Sequence, residues 1–476
     1  MWNSKLKKEN ILLGGIQFFL ILLLLQVPLI ALLKYKLHLV PDMFWLWKEG
    51  LIIILLMYEV YIAFKQPHLL KGFFQNPRIR AITGGTIALW LLALFLSFIT
   101  SPGITGYILF VKYDIFYLII LLTLAFWSYY LSTQDHKFFS SFYNFILKFI
   151  KNWLPTLVLL SFIWYIIIFI KPSLLTHIGY QKNLLNSAIH LSQPIAAQKT
   201  EILYGFVRNQ FVFELPLGRA FFLTAFFPLY FVGYLKKLKF QKIITNWSIW
   251  FIAIALTFSR AAIATFLIES LILFGLLFTP SKKYFKRLAI GGFALIVLLS
   301  PFVYKGFTAR SWSNTGHFIF TSETWKLVKS KWILGWGPGS SWAASHQLCK
   351  FKPQLLLCEK FHEINKKWGS EFLKGLNPEN HYLQIRMELG IVGLLIWLFV
   401  HLTLLKPIIY LTQKSTHIQK LLGARSFGLA ALLLQSLVLH PLSERIATYF
   451  FMAIGWIIWG LYLAQKESKD FSKVDS

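Results

Sequence analysis

The chain has 476 residues, 57% hydrophobic and 18% aromatic, with only 14% charged and a formal net charge of +29. Charged residues are normally about a quarter of a soluble chain. No water-soluble core conceals this much apolar surface, so a soluble enzyme, a disordered chain and a secreted disulfide scaffold are excluded, and the basic balance reflects topology and anionic lipid rather than nucleic acid.

Apolar runs of about 20 residues match the hydrocarbon thickness of a bilayer. About 12 are expected as membrane-spanning helices. They lie near 11–33, 49–64, 82–99, 105–131, 153–170, 219–235, 243–258, 261–278, 288–304, 386–411, 422–439 and 446–464. The first run is too long for a signal peptide and lacks a small-residue cleavage site, so it reads as a span. Only Ser259 and Arg260 separate the seventh run from the eighth.

Loop charge sets the expected sidedness. Lys5, Lys7 and Lys8 precede the first run; Lys65, Lys71, Arg78 and Arg80 follow the second. Lys236, Lys237, Lys239 and Lys242 follow the sixth, and Lys282, Lys283, Lys286 and Arg287 the eighth. Lys406, Lys414, Lys420 and Arg425 follow the tenth. Short basic connections face the cytoplasm, so both termini are expected there and the long stretches 171–218 and 305–385 outside. The stretch 305–380 holds 11 basic and five acidic residues, a net +6 that serves an anionic ligand or a solvated loop. Residues 321–332 have helical apolar spacing through Trp325, Val328 and Trp332, as an interfacial helix would. The only cysteines, Cys349 and Cys358, fall in this stretch, where an oxidising compartment permits a small disulfide. They have no second cysteine pair to complete a zinc site.

Arginine is scarce, 10 residues against 38 lysines, and Arg208, Arg219, Arg260, Arg310, Arg386 and Arg445 fall at or near the expected outer side. A guanidinium grips phosphate oxygens in a planar fork. These arginines either meet in a diphosphate site or snorkel to headgroups. Gly335-Trp336-Gly337-Pro338-Gly339-Ser340-Ser341 either presents backbone N–H groups to an anion or forms a turn. His381, Gln384 and Glu388 share one helical face at i, i+3 and i+7, flanked by Asn380. A polar stripe there lines a wet cavity or starts an interfacial helix, and a histidine in it is a candidate general base. His317, His440, Glu444 and Arg445 also fall on that side, each more simply read as structural.

Three segments in order carry a family resemblance: Thr257-Phe258-Ser259-Arg260-Ala261-Ala262; a tryptophan-bearing helix closing in Leu334-Gly335-Trp336-Gly337-Pro338-Gly339; and Asn380-His381-Tyr382-Leu383-Gln384 with Glu388-Leu389-Gly390-Ile391-Val392-Gly393. Over roughly 210–400 the chain resembles the O-antigen ligase and O-antigen polymerase superfamily. The resemblance implies an all-α polytopic membrane protein of the GT-C glycosyltransferase type, one integral membrane domain over 1–476. It implies a core at 210–400 and a large extracytoplasmic loop at 305–385, between helices 9 and 10. It implies a bacterial cytoplasmic-membrane enzyme transferring an undecaprenyl-diphosphate-linked glycan to a glycan or lipid-anchored sugar hydroxyl. Transfer would occur on the outer face, with inversion and without metal or cofactor.

Carried over, Arg219 and Arg260 bind the diphosphate. Many members have an arginine before the tryptophan-bearing helix; His317 stands at that place, and Arg310 lies seven residues earlier. Many have His-Asn before the tenth span, where this chain has Glu379-Asn380 followed by His381. The base is therefore Glu379 or His381, with Asn380 and Gln384 as substrate contacts. Ligase and polymerase carry the same motifs, and oligosaccharide transfer to protein is a third reading. A transporter or flippase is the rival from another class, since Glu59 and Glu269 fall within apolar runs. Against it, no inverted repeat or matched pair of broken helices is visible.

Overall fold

A computed structural model describes residues 2–30, 32–33, 37, 39, 47–170, 216–234, 239–257, 259–277, 311–341, 345, 348–349, 353–368, 380–439, 441–442 and 446–467. Among them every regular element is helical: α1 Trp2–Ile30, α2 Trp47–Lys65, α3 Pro67–Gln75, α4 Pro77–Ile99, α5 Gly103–Phe110, α6 Phe116–Gln134, α7 His136–Lys148, α8 Leu154–Ile170, α9 Pro216–Gly233, α10 Phe240–Ala255, α11 Arg260–Leu277, α12 Ser311–Ser330, α13 Leu356–Trp368, α14 His381–Leu405, α15 His417–Gln435 and α16 Ile446–Glu467. π-Helical turns occupy Val111–Ile115 and Phe149–Trp153, and a 3-10 turn occupies Lys406–Leu411. Among the described residues, 5 helical stretches are long and apolar enough to cross a membrane: Pro77–Ile99, Gly103–Gln134, Lys137–Ile167, His381–Leu411 and Ala447–Glu467. The run expected at 288–304 lies outside the described residues; the other expected runs overlap helices, although 256–257 and 436–439 are turns or bends.

α16 is enclosed by the rest of the bundle, with Trp456 and Trp459 stacked at 4.9 Å in its buried face. It runs parallel to α6. Phe116 meets Tyr449 at one end, and Tyr129 Oη donates to Glu467 Oε2 over 2.7 Å at the other. Gly460 permits the approach, because a Cβ there would collide with Ser128 Oγ and the Ala125 carbonyl. α9 and α15 are antiparallel and equally close, with Gly428 against the Ala225 carbonyl. α10 and α11 form a hairpin, Trp247 Nε1 donating to Ser270 Oγ over 2.8 Å. Ser259 separates the two as the sequence suggested: its Oγ accepts from the Ala262 N–H over 3.4 Å, capping the start of α11.

α14 departs from the expected single span over 386–411. Gly390 has φ +65° and ψ −164°, which no helix contains. The rings of His381 and Tyr382 lie 5.3 and 5.4 Å from that of Trp397. In a straight helix that sequence separation would place them more than about 20 Å apart. α14 is therefore two limbs, 381–389 and 391–405, folded back on each other. A reversal leaves helix-end carbonyl and N–H groups without partners inside the helix. The segment following α12 supplies them. Trp336 N–H donates to the Met387 carbonyl over 2.7 Å, and Gly337 N–H to the Glu388 carbonyl over 3.0 Å. Ile391 N–H donates to the Trp332 carbonyl over 3.0 Å.

That segment belongs to a smaller apolar cluster of Leu327, Val328, Trp336, Leu348, Leu357, Phe361 and Met387, apart from the main core. The Cys349–Cys358 disulfide, with Cα atoms 5.7 Å apart, joins its middle to α13. Arg386 lies 5.0 Å over the Trp325 ring and pins α12 to the first limb of α14.

The reversal has a direct test. A Cβ on Gly390 would overlap the Ile333 carbonyl, and the positive φ alone costs on the order of 1–3 kcal/mol for another residue. Gly390→Ala is expected to lower the thermal unfolding midpoint in detergent sharply. Gly84→Ala, whose Cβ meets nothing within 4 Å, is expected to leave it unchanged or raise it slightly. Equal midpoints for the two variants would contradict the fold-back.

Candidate active site

The first limb of α14 presents its polar stripe inward: His381, Gln384 and Glu388 are all 0% exposed. Asn380 caps the limb, its Oδ1 accepting from the Leu383 N–H over 3.0 Å. The same end is tied to the chain after α15. His381 N–H donates to the Ser436 carbonyl over 2.9 Å, and Asn380 Nδ2 to the Leu437 carbonyl over 2.8 Å.

The stripe meets a residue that no motif had marked. Asp114, in the π-helical turn between α5 and α6, is fully buried and accepts a short hydrogen bond from Gln384 Nε2. Its carboxyl group also faces that of Glu388 within hydrogen-bonding reach. Glu388 Oε1 accepts from Ser341 twice, from the backbone N–H over 3.1 Å and from the hydroxyl over 2.7 Å. The glycine-rich segment thus holds a carboxyl group of the protein's own, that of Glu388. Its Trp336 and Gly337 N–H groups go to α14 carbonyls and its Gly335 N–H to the Lys331 carbonyl, as in a turn. Gly335, Gly337 and Gly339 have φ of +71°, +102° and +75°. Gly337 and Gly339 let the segment wedge against Thr100 and Gly106.

Arg219 stands one turn into α9 and is 1% exposed. Its Nη2 donates to Ser161 Oγ over 2.6 Å, while Nη1 is buried with no hydrogen-bond partner among the described residues. Tyr165 lies close enough to act on it electrostatically. Arg260 opens α11. α9 and α11 run parallel, with Phe227 and Phe266 4.6 Å apart and Phe231 and Phe274 5.1 Å apart. Arg219 and Arg260 both precede these contacts by about two turns, so they share one end of the pair. The hydrogen bond of Arg219 goes to Ser161 and not to the stripe. A second link reaches α9 from the α15 end: Gln435 Nε2 donates to Thr224 Oγ1 over 2.8 Å.

Arg310 and Glu379 lie outside the described residues, as do Arg208, His440, Glu444 and Arg445. His317 is on α12, with its side chain outside them. The structure therefore brings His381, Gln384 and Asn380 together with Glu388 and Asp114. It places Arg219 and Arg260 on a neighbouring helix pair.

Arg425 corrects a reading of loop charge. It was counted with the basic connection after the tenth run, yet α15 begins at His417 behind a capping box formed by Thr416 and Gln419. Arg425 is thus two turns inside the helix and 0% exposed. Its guanidinium lies 5.1 Å over the Trp456 ring, with Nη2 3.3 Å from Met452 Sδ, in space left by Gly455. The missed signal was a basic residue within four positions of Leu421, Leu422 and Leu429, all buried.

Long apolar helices enclosing a buried polar stripe, with a smaller helical unit closing over it, define a polytopic membrane protein. Residues 247–398, about a third of the chain, match the family model described as O-antigen ligase, and this segment is similar to that superfamily. No curated protein matches the chain. The matched segment contains Arg260, the glycine-rich turn and both limbs of α14 through Leu398. Asp114, Arg219 and Arg425 lie outside it.

The buried carboxyl cluster yields a second prediction. Asp114→Leu removes the carboxyl acceptor of the Gln384 Nε2 hydrogen, and losing a buried hydrogen-bond partner costs about 1–3 kcal/mol. Asp114→Asn keeps an acceptor for Gln384 and adds a donor for Glu388. Thermal unfolding in detergent is expected to rank wild type and Asp114→Asn together, well above Asp114→Leu.

Proposed function

We propose that the protein transfers a polyprenyl-diphosphate-linked glycan to a sugar hydroxyl at the outer face of the bacterial cytoplasmic membrane. The observation that carries this reading is the O-antigen ligase match over 247–398, and Arg219 supports it. A buried guanidinium with an unused nitrogen is costly unless an anion completes it, and a diphosphate supplies the oxygens. In the proposed reaction the acceptor oxygen bonds to the anomeric carbon and the bond from that carbon to the diphosphate breaks. The hydroxyl proton passes to Glu379 or His381. Arg219 and Arg260 take up the charge that develops on the leaving diphosphate. Asn380 and Gln384 contact the acceptor, and Arg310 and His317 are further substrate-binding residues. No metal or cofactor enters this scheme.

His381 is enclosed on the Trp397 side, so an acceptor reaches it from the Asn380 end of the limb, where Asn380 is half-buried. Enclosure also keeps water from competing with the sugar hydroxyl.

The test uses the full chain in nanodiscs with a synthetic polyprenyl-diphosphate-linked glycan and a sugar acceptor. Transfer is expected, with Arg219→Ala reducing it roughly 10²-fold or more and Ser161→Ala reducing it less. Of Glu379→Ala and His381→Ala, the variant lacking the base is expected to lose roughly 10²-fold. Joining of two lipid-linked chains would identify a polymerase instead. Movement of the donor across the bilayer without covalent transfer would replace the reading with transport.

A further inference from the structure

Behind His381 lies a second buried group that the proposed chemistry does not use. Trp397, His401 and Tyr117 are 0%, 1% and 0% exposed. His401 Nδ1 is 2.8 Å from the Trp397 carbonyl, and its Nε2 is 2.8 Å from Tyr117 Oη. Trp397 Nε1 donates to Tyr117 Oη over 3.2 Å.

The proton arrangement follows from chemistry. A carbonyl only accepts, so Nδ1 carries the hydrogen. An indole N–H only donates, so Tyr117 Oη accepts from Trp397 and its own hydrogen goes to His401 Nε2. Every donor and acceptor of the three side chains is then used, with one imidazole tautomer and one hydroxyl rotamer. Such a closed network is rigid, because any rotation breaks a buried hydrogen bond that no water replaces.

The network holds a wall against the active limb. The Trp397 indole lies tilted against His401 with centroids 3.8 Å apart and also meets the rings of His381 and Tyr382. Tyr382 Oη donates to the Leu433 carbonyl over 2.9 Å, which ties the limb to α15. Because α14 folds back, residues 16 and 20 positions after His381 in sequence set where its ring stands.

We propose that His401 and Tyr117 are positioning residues: through the indole of Trp397 they fix the depth and orientation of His381 in the folded-back limb. This rests on the proposed transfer reaction only for its effect on rate; the placement of the limb is tested separately. A base displaced by about 1 Å loses on the order of 10²-fold in rate while substrate binding is little changed.

Two measurements on the full chain in detergent test it. The first is amide hydrogen exchange of the peptide spanning 381–389. Protection there is expected to fall at least tenfold in Tyr117→Phe and in His401→Phe, and to return toward wild type in His401→Gln, whose amide oxygen again accepts from Tyr117. Protection across α6 and α16 is expected to hold. The second is glycan transfer from the lipid-linked donor. Here kcat is expected to fall tenfold to about a hundredfold with KM for the donor within about twofold, and His401→Gln to recover most of it. Tyr117→Phe removes a single oxygen and decides the case if His401→Phe does not accumulate. Unchanged exchange at 381–389 in Tyr117→Phe overturns the proposal, as does a loss of protection equal across the whole bundle. Looser exchange with an unchanged kcat also overturns it. If wild type transfers no glycan, the transferase reading fails, and the exchange measurement still decides whether these residues position the limb.

Discussion

At Gly390 a membrane helix reverses, and three backbone hydrogen bonds from the segment after α12 make the reversal tolerable. In an apolar medium, unpaired carbonyl and N–H groups at a helix break cost several kcal/mol each. Trp336 and Gly337 cap the two outgoing carbonyls, and the Trp332 carbonyl caps the incoming N–H of Ile391. Gly390 supplies the φ, and Gly393 supplies the space, because a Cβ at 393 would strike Leu389 on the opposite limb. The two short motifs of the chain are therefore halves of one joint. Leu334–Gly339 has its form because Glu388–Gly393 needs partners, and the converse holds equally.

The joint organises the polar residues. With the limb folded back, His381, Gln384 and Glu388 face protein rather than lipid. Each gains buried partners from an element far away in sequence: Asp114 from the turn before α6, Ser341 from the glycine-rich segment, and Ser436 from the end of α15. The Asp114 and Ser341 contacts offset part of the cost of burying Gln384 and Glu388, the Ser436 carbonyl takes the backbone N–H of His381, and Ser341 couples the smaller helical unit to the bundle. The Cys349–Cys358 disulfide and the Arg386–Trp325 contact hold that unit against the joint.

Close helix approaches recur at glycines: Gly460 and Gly428 meet the Ala125 and Ala225 carbonyls, and Gly85 receives the Val400 side chain. Small residues at helix contacts are the usual means of packing within a bilayer, where lipid and Leu are equally apolar. Arg425 is the exception in character. Its charge sits among Trp456, Met452 and Gly455, with a π face and a thioether in place of a carboxylate.

The sequence by itself determined the medium, the helices and the stripe. Apolarity over about 20 residues is a local property, so the expected runs overlap helices wherever the chain is described. Ser259 marked the break between α10 and α11 because capping is local as well. The i, i+3, i+7 spacing put His381, Gln384 and Glu388 on one face for the same reason. Tertiary structure alone decided what that face meets. Asp114 is 270 residues from Gln384 and Tyr117 is 284 from His401, and no periodicity links positions so distant. Gly390 was visible as a glycine in an apolar run, but whether it bends a helix or passes through it depends on caps from another segment. Arg425 carried the same charge as its loop neighbours; only the start of α15 at His417 turned it inward.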